Sequence, residues 1–221
     1  METDKKLINE YFGMLEDWKG LPAYKLEVRI DSLVGYALPK VIESIYGLKT
    51  KAIIPELPIR LGSINRKYET KTYANRSYKV DFYIRTECGQ NLFIEFKTDS
   101  GSRREKQDSY LERCQAAKMD SILEGILKIY EVTSYKKKYD HLLERLQFAG
   151  LVTESSNGHG RTVNIGAESV KILYVQPKTL ESDYSKDVLD FSKLAKTIKG
   201  CFRGSELMDR LSLSLKEWCK D

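Results

Sequence analysis

The sequence predicts an α/β fold in which a central mixed β-sheet is flanked by helices, with extra helices at the N- and C-terminal ends. Three observations lead there. Apolar residues recur at helical spacing at both ends of the chain, whereas the middle alternates apolar and polar residues in short runs. Two such runs, residues 77–86 and 91–98, are joined by Glu87-Cys88-Gly89-Gln90, which predicts a β-hairpin. A further run, 169–177, is apolar throughout its centre, as a strand covered on both faces would be.

Taken in order, residues 3–18 read as an amphipathic helix with Leu7, Ile8, Tyr11, Phe12, Met14 and Leu15 as its stripe. Gly20-Leu21-Pro22 ends it. A second helix is expected over 24–46, with Ile30, Val34, Ala37, Leu38, Val41 and Ile42 among its apolar positions. Pro39 would kink or split that helix and Gly47 would stop it. The β-branched, proline-punctuated segment 51–62 suits an edge strand. In 77–86, Val80, Phe82 and Ile84 fall on one face and Lys79, Asp81, Tyr83 and Arg85 on the other. Helices are then expected from Ser102 to about Ala117, from Asp120 to about Tyr130, and over 137–152, the last stopping at Gly150. Asn157-Gly158 marks a turn between short extended arms, and helices over roughly 184–199 and 204–219 complete the chain.

Composition narrows the function classes. A chain of 221 residues with 41% hydrophobic and 31% charged residues suits a soluble globular protein with a sizeable core. No apolar run is long enough to span a bilayer and the N-terminal stretch lacks a signal-peptide layout, so the expected address is the cytoplasm, with no membrane partner. Cys88, Cys114, Cys201 and Cys219 form no CxxC pair, which argues for reduced thiols and against a zinc site. His141 and His159 are the only histidines, too few for a His-rich metal cluster. The formal charge of +5 permits a polyanionic partner. Lys and Arg mix with Tyr or Asn in 65–79, 102–107 and 135–139, a combination that can neutralise phosphates and stack on bases, or can serve as ordinary solvated faces.

One pattern carries chemistry. Within the strand 91–98, the run Leu92–Phe96 is apolar except for Glu95, and Lys97 follows at once, so Glu95 and Lys97 share a face with Phe93. Thirteen residues separate Asp81 from Glu95, a gap that a hairpin spans. Two carboxylates and an ammonium at one sheet edge are what metal-assisted phosphodiester hydrolysis uses, since carboxylates are hard ligands for Mg²⁺ and an ammonium can offset charge on a phosphate. The Phe96 carbonyl, between the two charges, could add an oxygen ligand. The ordinary reading is a cross-strand ion pair at the end of a strand. A second Glu-x-Lys, Glu69-Thr70-Lys71, lies among polar residues with no apolar strand around it.

The spacing Asp-x13-Glu-x-Lys on a hairpin followed by a basic helix resembles the PD-(D/E)XK nuclease superfamily, over roughly residues 24–115 and 170–199. That resemblance implies a restriction-endonuclease-like core of order α-β-β-β-α-β. It implies Asp81, Glu95, Phe96 and a first-helix carboxylate as ligands of Mg²⁺ (or Mn²⁺), with Lys97 positioning water or stabilising charge. Glu27, in the phrase Glu27-x-Arg29-x-x-x-Leu33, is the first choice for that carboxylate and Glu43 the second. A Gln-x-x-x-Tyr signature of one branch has a near counterpart in Gln107 and Tyr110, one position short, and no proline precedes Asp81. Gln107 would complete the site, while Arg103, Arg104, Lys106 and Tyr110 would meet nucleic acid.

The expected organisation is an N-terminal helix (1–22), a nuclease-like core (23–130 and 170–221) and a helix-plus-hairpin insertion (131–169). The segment 136–165, a helix and then a polar hairpin, resembles the end of a winged-helix module whose wing would hold His159, Arg161 and Asn164; an insertion decorating the core is the preferred reading. The expected function is Mg²⁺-dependent phosphodiester cleavage, with DNA favoured as partner, by an endonuclease or exonuclease. The alternative is an inactive nucleic-acid- or protein-binding module on the same fold. Whether two copies pair as a homodimer to cut both strands stays open.

Overall fold

The computed structural model describes residues 2–19, 25–70, 77–99, 105–155, 160–183 and 186–219. In chain order the elements are α1 (Glu2–Lys19), α2 (Glu27–Tyr46), β1 (Thr50–Arg60), a short α3 (Leu61–Ile64), β2 (Ser77–Thr86), β3 (Asn91–Phe96) and α4 (Glu105–Val132). There follow α5 (Lys136–Phe148), β4 (Val152–Glu154), β5 (Arg161–Val163), β6 (Val170–Gln176), β7 (Asp187–Asp190), α6 (Phe191–Cys201) and α7 (Glu206–Trp218). Five strands form one sheet in the order β1-β2-β3-β6-β7, and β4 pairs with β5 separately. β1–β2 and β2–β3 are antiparallel and β6–β7 is parallel, so the sheet is mixed. No helix among the described residues is long and apolar enough to cross a membrane.

The chain forms two compact units: Met1–Lys49, Glu95–Arg103 and Leu173–Asp221 make the first, and Thr50–Ile94 with Arg104–Ile172 the second. The backbone of β3 leaves the second unit after Ile94, and that of β6 after Ile172.

In the first unit, α2 buries Ile30, Val34, Ala37, Leu38, Val41 and Ile42 completely, the i, i+4, i+7 stripe that the sequence shows. Each such side chain contributes about 1.5–3 kcal/mol. The helix runs through Pro39 unbroken and stops where Gly47 adopts a left-handed φ of 67° and donates to the Glu43 carbonyl. α6 begins where the Asp190 carboxylate accepts the Lys193 N–H at 2.8 Å. The helix α7 packs on both α1 and α6. On α1 only Phe12 and Leu15 of the apolar stripe are fully buried, and Leu7 and Tyr11 remain exposed.

In the second unit, β1 lies at the sheet edge, as its prolines suggested. α3 packs on α4 at Gly125, where a Cβ would collide with the Ser63 hydroxyl. The guanidinium of Arg60, wholly buried, is gripped by both carboxylate oxygens of Glu69 at 2.8 and 2.6 Å. The isolated Glu-x-Lys copy thus gives its carboxylate to a buried arginine, which holds the Glu69 carboxyl below its usual range. Lys71 lies outside the described residues.

Two expectations change. The helix expected from 184 starts only at Phe191, because Asp187–Asp190 form β7 in parallel register with Leu173–Gln176 and the Asp190 cap turns the chain into a helix there. The break expected between the helices on either side of residue 118 is present within α4, at Lys118, which takes the non-helical φ 67° and ψ 164°. The supposed polar face of β2 is not solvated at its far end: Tyr83 and Arg85 are buried. Tyr83 donates to the Asn91 side-chain oxygen at 2.7 Å, and Arg85 bonds the same oxygen at 2.9 Å, the Gly89 carbonyl and the Glu168 carboxylate.

Candidate functional site

The charges at the end of β3 gather on one atom. All six residues of β3 are buried. The ring of Phe96 lies 5.9 Å from that of Phe191, and the Lys97 N–H donates to the Val175 carbonyl at 2.8 Å, so the strand end is fixed by packing and by a ladder bond. Glu95 is 1% exposed. The Lys97 ammonium meets it at 2.8 Å and donates to the Phe96 carbonyl at 2.9 Å. It also lies 3.5 and 3.4 Å from the two oxygens of Glu27, seventy residues earlier in the chain.

Glu27 owes its place to α2. Leu26, at the N-cap, supplies no side-chain acceptor, and Glu27 occupies the first turn, where the helix dipole favours a carboxylate. Its side chain is 30% exposed, against 8% for that of Lys97, so the cluster runs from a buried carboxylate to a partly open one. Taking such charges out of water costs several kcal/mol per ion, offset only by close pairing. A carboxylate, an ammonium and a second carboxylate in van der Waals reach of one another supply that pairing.

Glu43, the second choice for the helix carboxylate, is exposed and sixteen residues along α2, roughly 24 Å further down the axis at helical rise. Asp81 is half-buried on β2 in the second unit. It directly precedes Phe82, and Glu95 directly follows Ile94; Phe82↔Ile94 is the terminal pair of the β2–β3 register. Gln107 and Lys106 lie in the first turn of α4, their side chains outside the description, and Arg103 and Arg104 lie outside the described residues altogether. Tyr110 is half-buried on α4, its ring 5.4 Å from that of Tyr78.

A divalent cation fits the chemistry of the donors. Two carboxylates and a backbone carbonyl, all hard oxygens, already converge on one cationic nitrogen, and Mg²⁺ binds through few such ligands while keeping several waters. Among the described residues, no group of three or more His, Cys, Asp or Glu side chains is placed to hold a metal ion. The donors at hand are therefore two side-chain carboxylates and one carbonyl.

The sequence reading missed the Tyr83–Asn91–Arg85–Glu168 network. Asn91 also donates to Glu168 at 2.9 Å and to the Ser169 carbonyl at 3.3 Å. Arg85 holds the Glu168 carboxyl below the usual range, and burial pushes the Tyr83 phenol upward. The signal available was slight: an arginine on the mixed face of β2, with its partner eighty-three residues away. No family model, no curated protein and no solved structure matches the chain.

Proposed function

We propose that the chain is a Mg²⁺-dependent phosphodiesterase, a DNA endonuclease or exonuclease with a PD-(D/E)XK-like site. The observation that carries the reading is the convergence of Glu27, Glu95 and the Phe96 carbonyl on the Lys97 ammonium. Glu95, Phe96 and Lys97 are consecutive at the end of β3 and Glu27 lies on α2, seventy residues before Lys97, yet their oxygens meet at the one nitrogen. A chance surface ion pair would not bring a first-helix carboxylate to a strand end in this way.

In this reading Glu27, Glu95 and the Phe96 carbonyl hold the cation, and Asp81 joins them on the strength of its place in the sequence pattern. When bound, the ion supplies Lewis acidity toward a phosphate oxygen and lowers the pKa of water. Lys97 carries three N–H donors on a side chain placed beside two carboxylates, and an ammonium is suited to offset the negative charge that builds on a phosphate in the transition state. Gln107, in the first turn of α4, is proposed to orient the attacking water, and Arg103, Arg104 and Lys106 to neutralise the backbone.

A second reading has its own observation. The same ion cluster ties α2 to the end of β3, which is a structural role needing no catalysis and compatible with a binding module on the same fold. Nicking of supercoiled plasmid with Mg²⁺ or Mn²⁺ separates the two. Wild type should nick, EDTA should stop it, and Asp81→Asn, Glu95→Gln and Lys97→Met should each lower the rate by about 10²–10³. A wild-type protein silent on plasmid and on single strands, with no divalent-dependent change in melting temperature, would leave the structural reading standing.

A further inference from the structure

The second unit contains a feature that the carboxylate site does not use. α4 ends at Val132, three residues turn, and α5 follows at once with a β4–β5 hairpin behind it. The turn is locked from both sides. The Tyr130 hydroxyl donates to the Asp140 carboxylate at 2.6 Å across it. Lys136 donates to the carbonyls of Tyr130 and Glu131, capping α4, and its ammonium lies 4.4 Å over the Tyr130 ring. The Tyr135 N–H bonds the Thr133 hydroxyl at 3.1 Å. Beyond α5, Gly150 takes φ 80°, Leu151 donates back to the Leu146 carbonyl, and Asn164 donates to Leu151, so the hairpin is held to the helix.

One face of α5 buries Leu143 and Leu146. The opposite stripe, Lys137, His141, Glu144, Arg145 and Phe148, is exposed, flanked by Lys138 and by Tyr135. Phe148 and Tyr135 are each 66% exposed, a large apolar surface that nothing among the described residues covers. Lys137 and Arg145 face one carboxylate, Glu144, on that stripe, with Lys138 beside it, and the Lys51 ammonium sits 3.1 Å from where a Cβ on Gly150 would be. The hairpin pairs Glu154 with Arg161 and continues the same side of the unit.

We infer that α5, with the locked turn before it and the hairpin behind, docks in the major groove of duplex DNA. A helix with its side chains is about 10–12 Å across, and the B-form major groove is about 12 Å wide. A rigid turn, a helix with basic residues in its first turns and a trailing hairpin form the arrangement in which the second helix reads base edges. Lys137 and His141 lie toward the N-terminal half, where base edges are reached, and Lys138 and Arg145 lie toward the phosphates. The A-form major groove is too narrow for a helix, so duplex RNA is excluded. His141, exposed on that stripe, is thereby a contact residue. The inference stands apart from the carboxylate site and, if both hold, makes duplex DNA its substrate.

Fluorescence anisotropy of a labelled duplex with the full chain in EDTA tests it, since binding is then read without cleavage. Wild type should bind with a salt dependence. K137E/K138E should bind about ten-fold more weakly or worse, with the slope of log K against log salt reduced by about 2. Lys196→Glu, an exposed charge swap on α6 in the first unit, should bind like wild type. Absence of duplex binding, equal loss in K196E, or binding of duplex RNA or a single strand as tight as that of duplex DNA would each overturn it. Failure here with plasmid nicking intact would leave the metal site in place, and the reverse result would leave the docking helix.

Discussion

Lys97 is the residue on which two readings of the molecule part. If the Glu27–Lys97–Glu95 cluster is only structural, removing the ammonium leaves a buried carboxylate beside a half-open one, at a cost of about 3–5 kcal/mol that no small ion relieves. If the oxygens form a cation site, the same removal leaves them to a divalent ion. Lys97→Met is therefore expected to melt well below wild type in EDTA and to recover most of that loss in Mg²⁺, with wild type gaining less. Thermal melts with and without Mg²⁺ check it, and a variant equally destabilised in both would count against a metal site. At this scale Glu95 and Lys97 were legible because a strand's period of two places them on one face. Glu27 was legible only through a resemblance, since nothing in local spacing joins it to a lysine seventy residues on. The buried arginines were not legible: a cation inside a strand reads as a surface residue until its distant carboxylate is in place.

Among the elements, β2, β3 and the start of β6 are held by a polar network that has nothing to do with the proposed chemistry. Arg85, 8% exposed, depends on Glu168 for its pairing, and Asn91 bonds the same carboxylate. The Glu168 carboxyl is held below the usual range, by the Arg85 hydrogen bond first of all. A carboxyl whose folded pKa lies below its unfolded value contributes stability above the unfolded pKa, about 4.3, and loses it as pH falls through the folded value. The gap in melting temperature between wild type and Glu168→Gln should accordingly stay constant from neutral pH down to about 5.5 and close below about 4. A gap unchanged at acid pH would mean that the pair contributes shape and no charge stabilisation. Element boundaries were read well where caps are local, as at Gly47, and poorly at Asp187–Asp190. That strand has four residues, two of them acidic, and forms because β6 offers a parallel neighbour, a contact that local sequence does not announce.

For the whole molecule, the two compact units are not two consecutive stretches of chain. The first gathers three segments and the second two, and β3 and β6 are each single strands whose residues belong to both. A sequence read from end to end suggests a core with an insertion, because neighbouring residues are assumed to belong together; here two strands each contribute residues to both units. The physical consequence is cooperativity. Losing either unit frays a strand whose remaining residues hold the other, so equilibrium unfolding should be a single transition. Two probes report the units separately. Trp18 and Trp218, the chain's two tryptophans, both lie in the first unit. Cys114 lies in the second, fully buried, its thiol pushed up to about 12 by burial, so that iodoacetamide at mild pH reaches it only on unfolding. Tryptophan emission and pulse alkylation of Cys114, followed by mass spectrometry across a urea series, should give the same midpoint. A Cys114 midpoint lower than that of the emission change would show the second unit opening alone, and with it α5, before the Glu27–Lys97–Glu95 cluster is lost.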